Sequence, residues 1–151
     1  MTAMPLGTTH FTNASRSTVT ANGISRRARI AGWTISTLLL VLLAFDAGIK
    51  LVGAKAAVEG TVQLGYPASA LPVIGMLALV CWVLYAVPRT APLGALLWTG
   101  YFGGTVATHL RVGNPLFTHI LSGVWVATLL WVALWLRDAR VRAMVRGIVK
   151  G

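Results

Sequence analysis

Long apolar runs separated by short polar breaks set the pattern of this chain. Residues 30–45, 60–88, 90–110 and 112–136 contain no Asp, Glu, Lys or Arg. The apolar residues are blocked together rather than spaced as a helical stripe, which is the pattern of segments apolar on every side. A helix that crosses a bilayer needs about 20 predominantly apolar residues. The last three runs meet that length unaided. The first does so only if it continues through Asp46 and Lys50 to about Ala54.

The breaks then divide the chain. Helices are expected over about 30–54, 68–87, 91–110 and 115–136. Residues 55–67 read as an outer loop, because Gly60, Gly65 and Pro67 interrupt regular structure. The link from Pro88 to Pro92 ends one helix and starts the next. At the following turn Asn114 is placed to cap a helix and Pro115 to occupy its first position. Residues 1–29, rich in Thr, Ser, Asn and Gly, read as a flexible basic N-terminal tail, and 138–151 as a basic C-terminal tail. Short links make successive helices antiparallel neighbours. The expected fold is therefore all-α: an integral membrane four-helix bundle, up-down-up-down, over residues 30–137.

Composition sharpens this. Of 151 residues 56% are hydrophobic and 11% charged, whereas a soluble domain carries about a quarter charged residues. The net charge of +10 raises the question of a nucleic-acid partner. Its distribution answers no: Arg16, Arg26, Arg27 and Arg29 precede the first run, and Arg137, Arg140, Arg142, Arg146 and Lys150 follow the last, without interleaved aromatics. Such clusters orient a membrane protein and attract anionic lipid headgroups. With Arg89 in the second link, they predict both termini on the cytoplasmic side of a multi-pass membrane protein. The single cysteine, Cys81, reads as a small packing residue and allows no internal disulfide. Gly100, Gly104 and Thr108, four residues apart, suit close helix packing within the bundle or, alternatively, a homodimer. Trp131 and Trp135 suit an inner interfacial belt.

Five ionisable residues stand against the apolar background. At 1.5 Å rise per residue, Asp46 lies roughly 24 Å along a core of about 30 Å, with Lys50 one turn further. His109, in the last turn of helix three, Arg111 just after it, and His119, one turn into helix four, fall at the same outer depth. Asp46 and Lys50 are spaced i, i+4 with the acid first, the favourable order for a helical ion pair. Either the pair neutralises itself and fixes helix one, or Asp46 faces a cavity and handles protons or a polar ligand. The histidines can hold a proton, donate to a quinone oxygen, or ligate haem or a metal; their place near helix ends favours the polar roles, and haem is the lesser expectation. Tyr101, Thr105 and Thr108 share a helix face with His109 and would support a pocket. Arg111 reads as an interfacial anchor, a headgroup or anionic-ligand contact, or a partner of Glu59. No metal-ligand spacing, phosphate-binding glycine loop, CxxC or carboxylate pair occurs, so no metal site and no catalytic residue is assigned.

The run FDAGIKL at 45–51, the sequence YFGG at 101–104 through THLR at 108–111, and LWLRD at 134–138 resemble the DoxX-like family of small bacterial four-helix membrane proteins over about residues 34–140. Residue by residue, the resemblance places the family's polar positions on Asp46, Lys50, His109 and Arg111, and less closely on His119. It implies association with quinone-linked redox systems and with other membrane redox subunits. The scarcity of cysteine departs from a thiol-redox variant, and the long N-terminal tail departs from the compact family pattern. The expected role is an accessory or quinone-interacting component of a membrane redox system. The alternatives are a small-molecule binding or proton-linked transport module, and an assembly subunit without a ligand.

Overall fold

The computed structural model describes residues 24–115 and 121–150, all helical or connecting, with no strand among them. The helices are α1 (Arg26–Leu51), α2 (Lys55–Gln63), α3 (Leu71–Ala86), α4 (Ala91–Arg111), α5 (Leu121–Arg137) and α6 (Ala139–Lys150). A 3₁₀ turn at Ala68–Ala70 leads into α3.

α1 begins four residues before the apolar run because Ser25 caps it, its hydroxyl accepting from the Ala28 N–H at 3.2 Å. It continues through Asp46 and Lys50, as the length requirement demands, and ends at Leu51. One stripe of α1 is buried: Gly32, Ser36, Leu39, Leu43 and Ala47. Leu38, Val41, Leu42 and Phe45 on the other side are exposed. α3 repeats the arrangement, with Gly75, Ala78, Cys81 and Tyr85 buried and Val73, Met76, Leu77 and Val80 exposed. Large apolar side chains facing outward along whole helices are the surface of a protein solvated by lipid. Among the described residues two helical segments, 26–51 and 68–86, are long and apolar enough to cross a membrane; a third counts if α5 and α6, bent by 105° at their junction, form one span. α4 has the length, but its glycines and threonines and the terminal His109 and Arg111 dilute its apolarity.

Packing is cyclic: α1 lies against α3 and α5, and α4 against the same two. Each contact sets the start of one helix beside the end of another. Gly32 of α1 meets the Ala133 carbonyl and Arg137 of α5; Gly94 of α4 lies on the backbone of Leu84 and Tyr85 in α3. A Cβ at Gly32 would stand 2.8 Å from the Ala133 oxygen, and one at Gly94 2.3 Å from the Tyr85 nitrogen. These glycines, rather than Gly100 and Gly104, carry the close helix approach. Among the described residues nothing lies within 4 Å of a Cβ at Gly100 or Gly104, so the expected packing role inside the bundle is corrected.

Trp98, Tyr85, Leu130 and Leu134 fill the core toward the end where α1 begins, and all are fully buried. Tyr85 is satisfied there, donating to the Leu130 carbonyl at 3.1 Å with the Ser36 hydroxyl 3.3 Å away. In α4 no residue after Trp98 is buried. The core therefore thins toward the opposite end, and that is where a cavity opens.

Two segments expected to lie outside the helices, a loop and a tail, are helical. Residues 55–63 form α2, supported by an i, i+4 pair of Lys55 and Glu59 (3.9 Å) and by Thr61, whose hydroxyl bonds back to the Ala57 carbonyl at 2.7 Å. Gly60 is tolerated inside it; the break comes at Gly65, with φ +81°. The C-terminal tail forms α6, whose Val141 is buried in the core while Met144, Ile148 and Val149 are exposed. Apolar residues at 141, 144, 145 and 148 share one face, and Arg142 and Arg146 another. Trp131 is tied to α4, its indole donating to the Thr99 hydroxyl at 3.0 Å. Trp135 is partly exposed beneath Arg142, whose guanidinium lies 5.7 Å from its ring centre. The expected start of helix four at Pro115 runs into 116–120, outside the described residues.

Candidate functional site

A cavity of about 660 Å³ lies at the end of the helices where α1 and α4 finish. Asp46 and Lys50 from α1 line it, as do Tyr101, Thr105, Thr108 and His109 from α4. Its apolar wall comes from Leu42, Leu43, Ile74, Leu77, Phe102 and Val126. Gly100 and Gly104 also form part of the wall, and their missing side chains leave the space open. The volume is that of a small-molecule site, which typically spans about 300–1,000 Å³ with a mostly apolar lining and a few polar groups.

The polar groups are arranged in connected pairs. The Lys50 ammonium donates to Asp46 Oδ2 across one helical turn and lies 5.8 Å from the Tyr101 ring centre. Thr105 and Thr108 donate back to the Tyr101 and Gly104 carbonyls at 3.1 and 2.9 Å. The Thr108 donor is thereby used, so the Tyr66 hydroxyl, 3.1 Å away, donates to it. The Asn114 amide nitrogen lies 2.7 Å from His109 Nδ1. The aromatic residues of the wall pack on the core: Trp98 stacks on Phe102 at 5.1 Å, and Tyr101 meets both edge-on.

Six of the expected residues thus line one space: Asp46, Lys50, Tyr101, Thr105, Thr108 and His109. Arg111 stands apart from the lining. Its guanidinium donates to the Leu64 carbonyl at 2.8 Å and lies 5.7 Å from the Tyr66 ring centre, clamping the segment after α2. Glu59 pairs with Lys55 instead of Arg111. His119 lies outside the described residues. The sequence reading missed Thr61, Leu64 and Tyr66, which also line the cavity, because it took their segment for a loop. The available signal was the i, i+4 spacing of Lys55 and Glu59 followed by Thr61.

All-helical architecture, outward-facing apolar surfaces and a partly polar cavity at one end define the class: a small helical membrane protein. The DoxX-like family model matches residues 34–133, well over half of the chain. The chain belongs to that family. No curated protein and no solved structure matches it. The matched span takes in every cavity residue named above.

Proposed function

We propose that this protein is a multi-pass component of the bacterial inner membrane that binds an amphipathic, quinone-class molecule as an accessory of a membrane redox system. α1, α3, α4 and α5 serve as an up-down-up-down four-helix bundle with both termini cytoplasmic, α4 turning its polar face to the cavity. The Lys and Arg distribution supports that orientation. Asp46, Lys50, His109 and Arg111 then lie toward the outer face.

One observation carries the ligand reading: a single cavity joins a polar end, formed by the Asp46–Lys50 pair, His109 and the hydroxyls of Tyr66 and Thr108, to an apolar wall. A quinone has the matching division, with carbonyl oxygens that accept from N–H and O–H donors and a ring and tail that require apolar contact. The Lys50 ammonium is a donor of the required kind. The same site supports other polar-headed lipophilic molecules less well where they lack acceptors.

The test uses the full chain purified from its membrane in mild detergent. Organic extracts are assayed for co-purifying quinone, and the protein is titrated with a short-tailed quinone analogue. Saturable binding that Gly100→Leu abolishes without loss of folding is expected, because a leucine at 100 projects into open cavity space. Failure of the analogue to saturate would remove the quinone reading. Proton-coupled uptake lost in Asp46→Asn, with no quinone bound, would favour a transport module instead.

A further inference from the structure

Arg137 ends α5 at the opposite end of the molecule from the cavity, beyond the segment matched by the family. It is only 9% exposed. Its guanidinium carbon lies 4.4 Å from the Trp33 ring centre and 5.2 Å from that of Tyr85. Both Nη1 and Nη2 are buried and find no hydrogen-bond partner among the described residues. Two polar neighbours stand beside the guanidinium, and neither satisfies the whole fork. The Tyr85 hydroxyl donates to the Leu130 carbonyl, and its oxygen is left as an acceptor for at most one N–H of the fork. The Asp138 carboxylate is taken by Arg140, through Nη2 at 2.8 Å, Nε at 3.2 Å and the backbone N–H at 2.9 Å.

Aromatic faces offset part of the cost of burying this cation, but they accept none of its N–H donors. Arginine keeps its charge when buried and presents a planar fork that matches phosphate. Arg137 lines a cavity of about 220 Å³ together with Trp33, Pro88, Asp138 and Arg140. With Asp138 neutralised by Arg140, the corner retains the positive charge of Arg137.

Two adjoining features say what kind of phosphate fits. Trp33 is shared with a groove of about 450 Å³ that runs along α1 past Ile30, Thr34, Thr37 and Leu38, with Arg29 at its end. α6 leaves the corner at 105° to α5, with exposed Met144, Ile148 and Val149 and a basic face. That is the form of a helix lying in a headgroup layer. A free phosphate has no use for an apolar groove; a phospholipid does.

We infer that the corner between α5 and α6 is a binding site for an anionic phospholipid, whose phosphate takes the Arg137 N–H donors and whose acyl chain follows the α1 groove past Trp33. Arg140 both removes the opposing Asp138 charge and fixes α6 to the bundle through the Pro88 carbonyl at 2.8 Å. The site is separate from the cavity of the proposed function and stands or falls independently of it.

Native mass spectrometry of the full chain in neutral detergent, titrated with phosphatidylglycerol, phosphatidylcholine or inorganic phosphate, tests the assignment. One phosphatidylglycerol per chain is expected, retained about tenfold better than phosphatidylcholine, with Arg137→Lys removing that preference. Inorganic phosphate at millimolar concentration should not compete. Equal retention of the two lipids, an unchanged preference in Arg137→Lys, or displacement by inorganic phosphate would each overturn it. If Arg137→Lys does not fold, Arg140→Gln decides, since its side chain is exposed. That variant frees the Asp138 carboxylate and should weaken phosphatidylglycerol about fivefold; an unchanged affinity overturns the site.

Discussion

The Lys50 ammonium closes on the Asp46 carboxylate one turn earlier in α1, and both side chains form part of the cavity wall. The pair is neither deeply buried nor free in water, with the Lys50 side chain 19% exposed and that of Asp46 38%. It can insert into a membrane as a near-neutral unit and still offer a donor to a ligand.

Breaking the pair from one side leaves a lone charge. Asp46→Asn should lower stability by about 1–2 kcal/mol, between the values for exposed and buried pairs. Asp46→Asn with Lys50→Gln should recover most of that loss, because no charge is left unpartnered. Thermal unfolding of the unsubstituted chain and the two variants in detergent measures it, and equal losses in the single and double variants would contradict the account.

The glycines of α4 should divide sharply. Gly94→Ala drives a methyl into the Tyr85 backbone and should cost about 1–3 kcal/mol or prevent folding. Gly100→Ala meets nothing within 4 Å among the described residues and should be neutral or stabilising by up to about 1 kcal/mol, through the better helix propensity of alanine. Expression level and melting temperature of the two variants, side by side, check the contrast.

α2 is held over the cavity by few bonds, of which the contact of Tyr66 with Thr108 and that of Arg111 with Leu64 are both exposed. Tyr66→Phe should therefore cost only about 0.5–1 kcal/mol. Amide exchange over 55–66 should quicken while the core of α3 and α5 stays protected. Arg111→Gln should act on the same segment. Exchange read by mass spectrometry would refute this if the change spread evenly through the helices.

Low pH should loosen the corner between α5 and α6. The hydrogen bond from Arg140 holds the Asp138 carboxyl below the usual carboxylate range. Asp138 also accepts from the Arg140 N–H, as an N-cap of α6. The folded corner binds fewer protons than the unfolded chain near that range. Its contribution is complete above the unfolded carboxylate pKa and drains away as pH falls through the lower folded value. Proteolysis or amide exchange of α6 should accelerate on acidification below about pH 4. In Asp138→Asn α6 should be loosened at neutral pH too, with that acid-dependent step gone.

Much of this protein was legible in the order of its residues. Uncharged runs long enough to span a bilayer, broken by Pro88, Pro92 and the 111–115 turn, gave the helices, because apolar length and backbone breakers act locally. Helical rise alone put Asp46, Lys50 and His109 at one depth, and depth is a property of each helix taken singly. Which side chains then share a cavity depends on how the helices rotate against one another, and the tertiary structure settles that. Gly32 and Gly94, not Gly100 and Gly104, make the close approaches. The glycines left over became cavity wall. The same packing covers Arg137, an ordinary flanking cation by sequence, between two aromatic rings, since only the meeting of α1, α3 and α5 decides which charge leaves water.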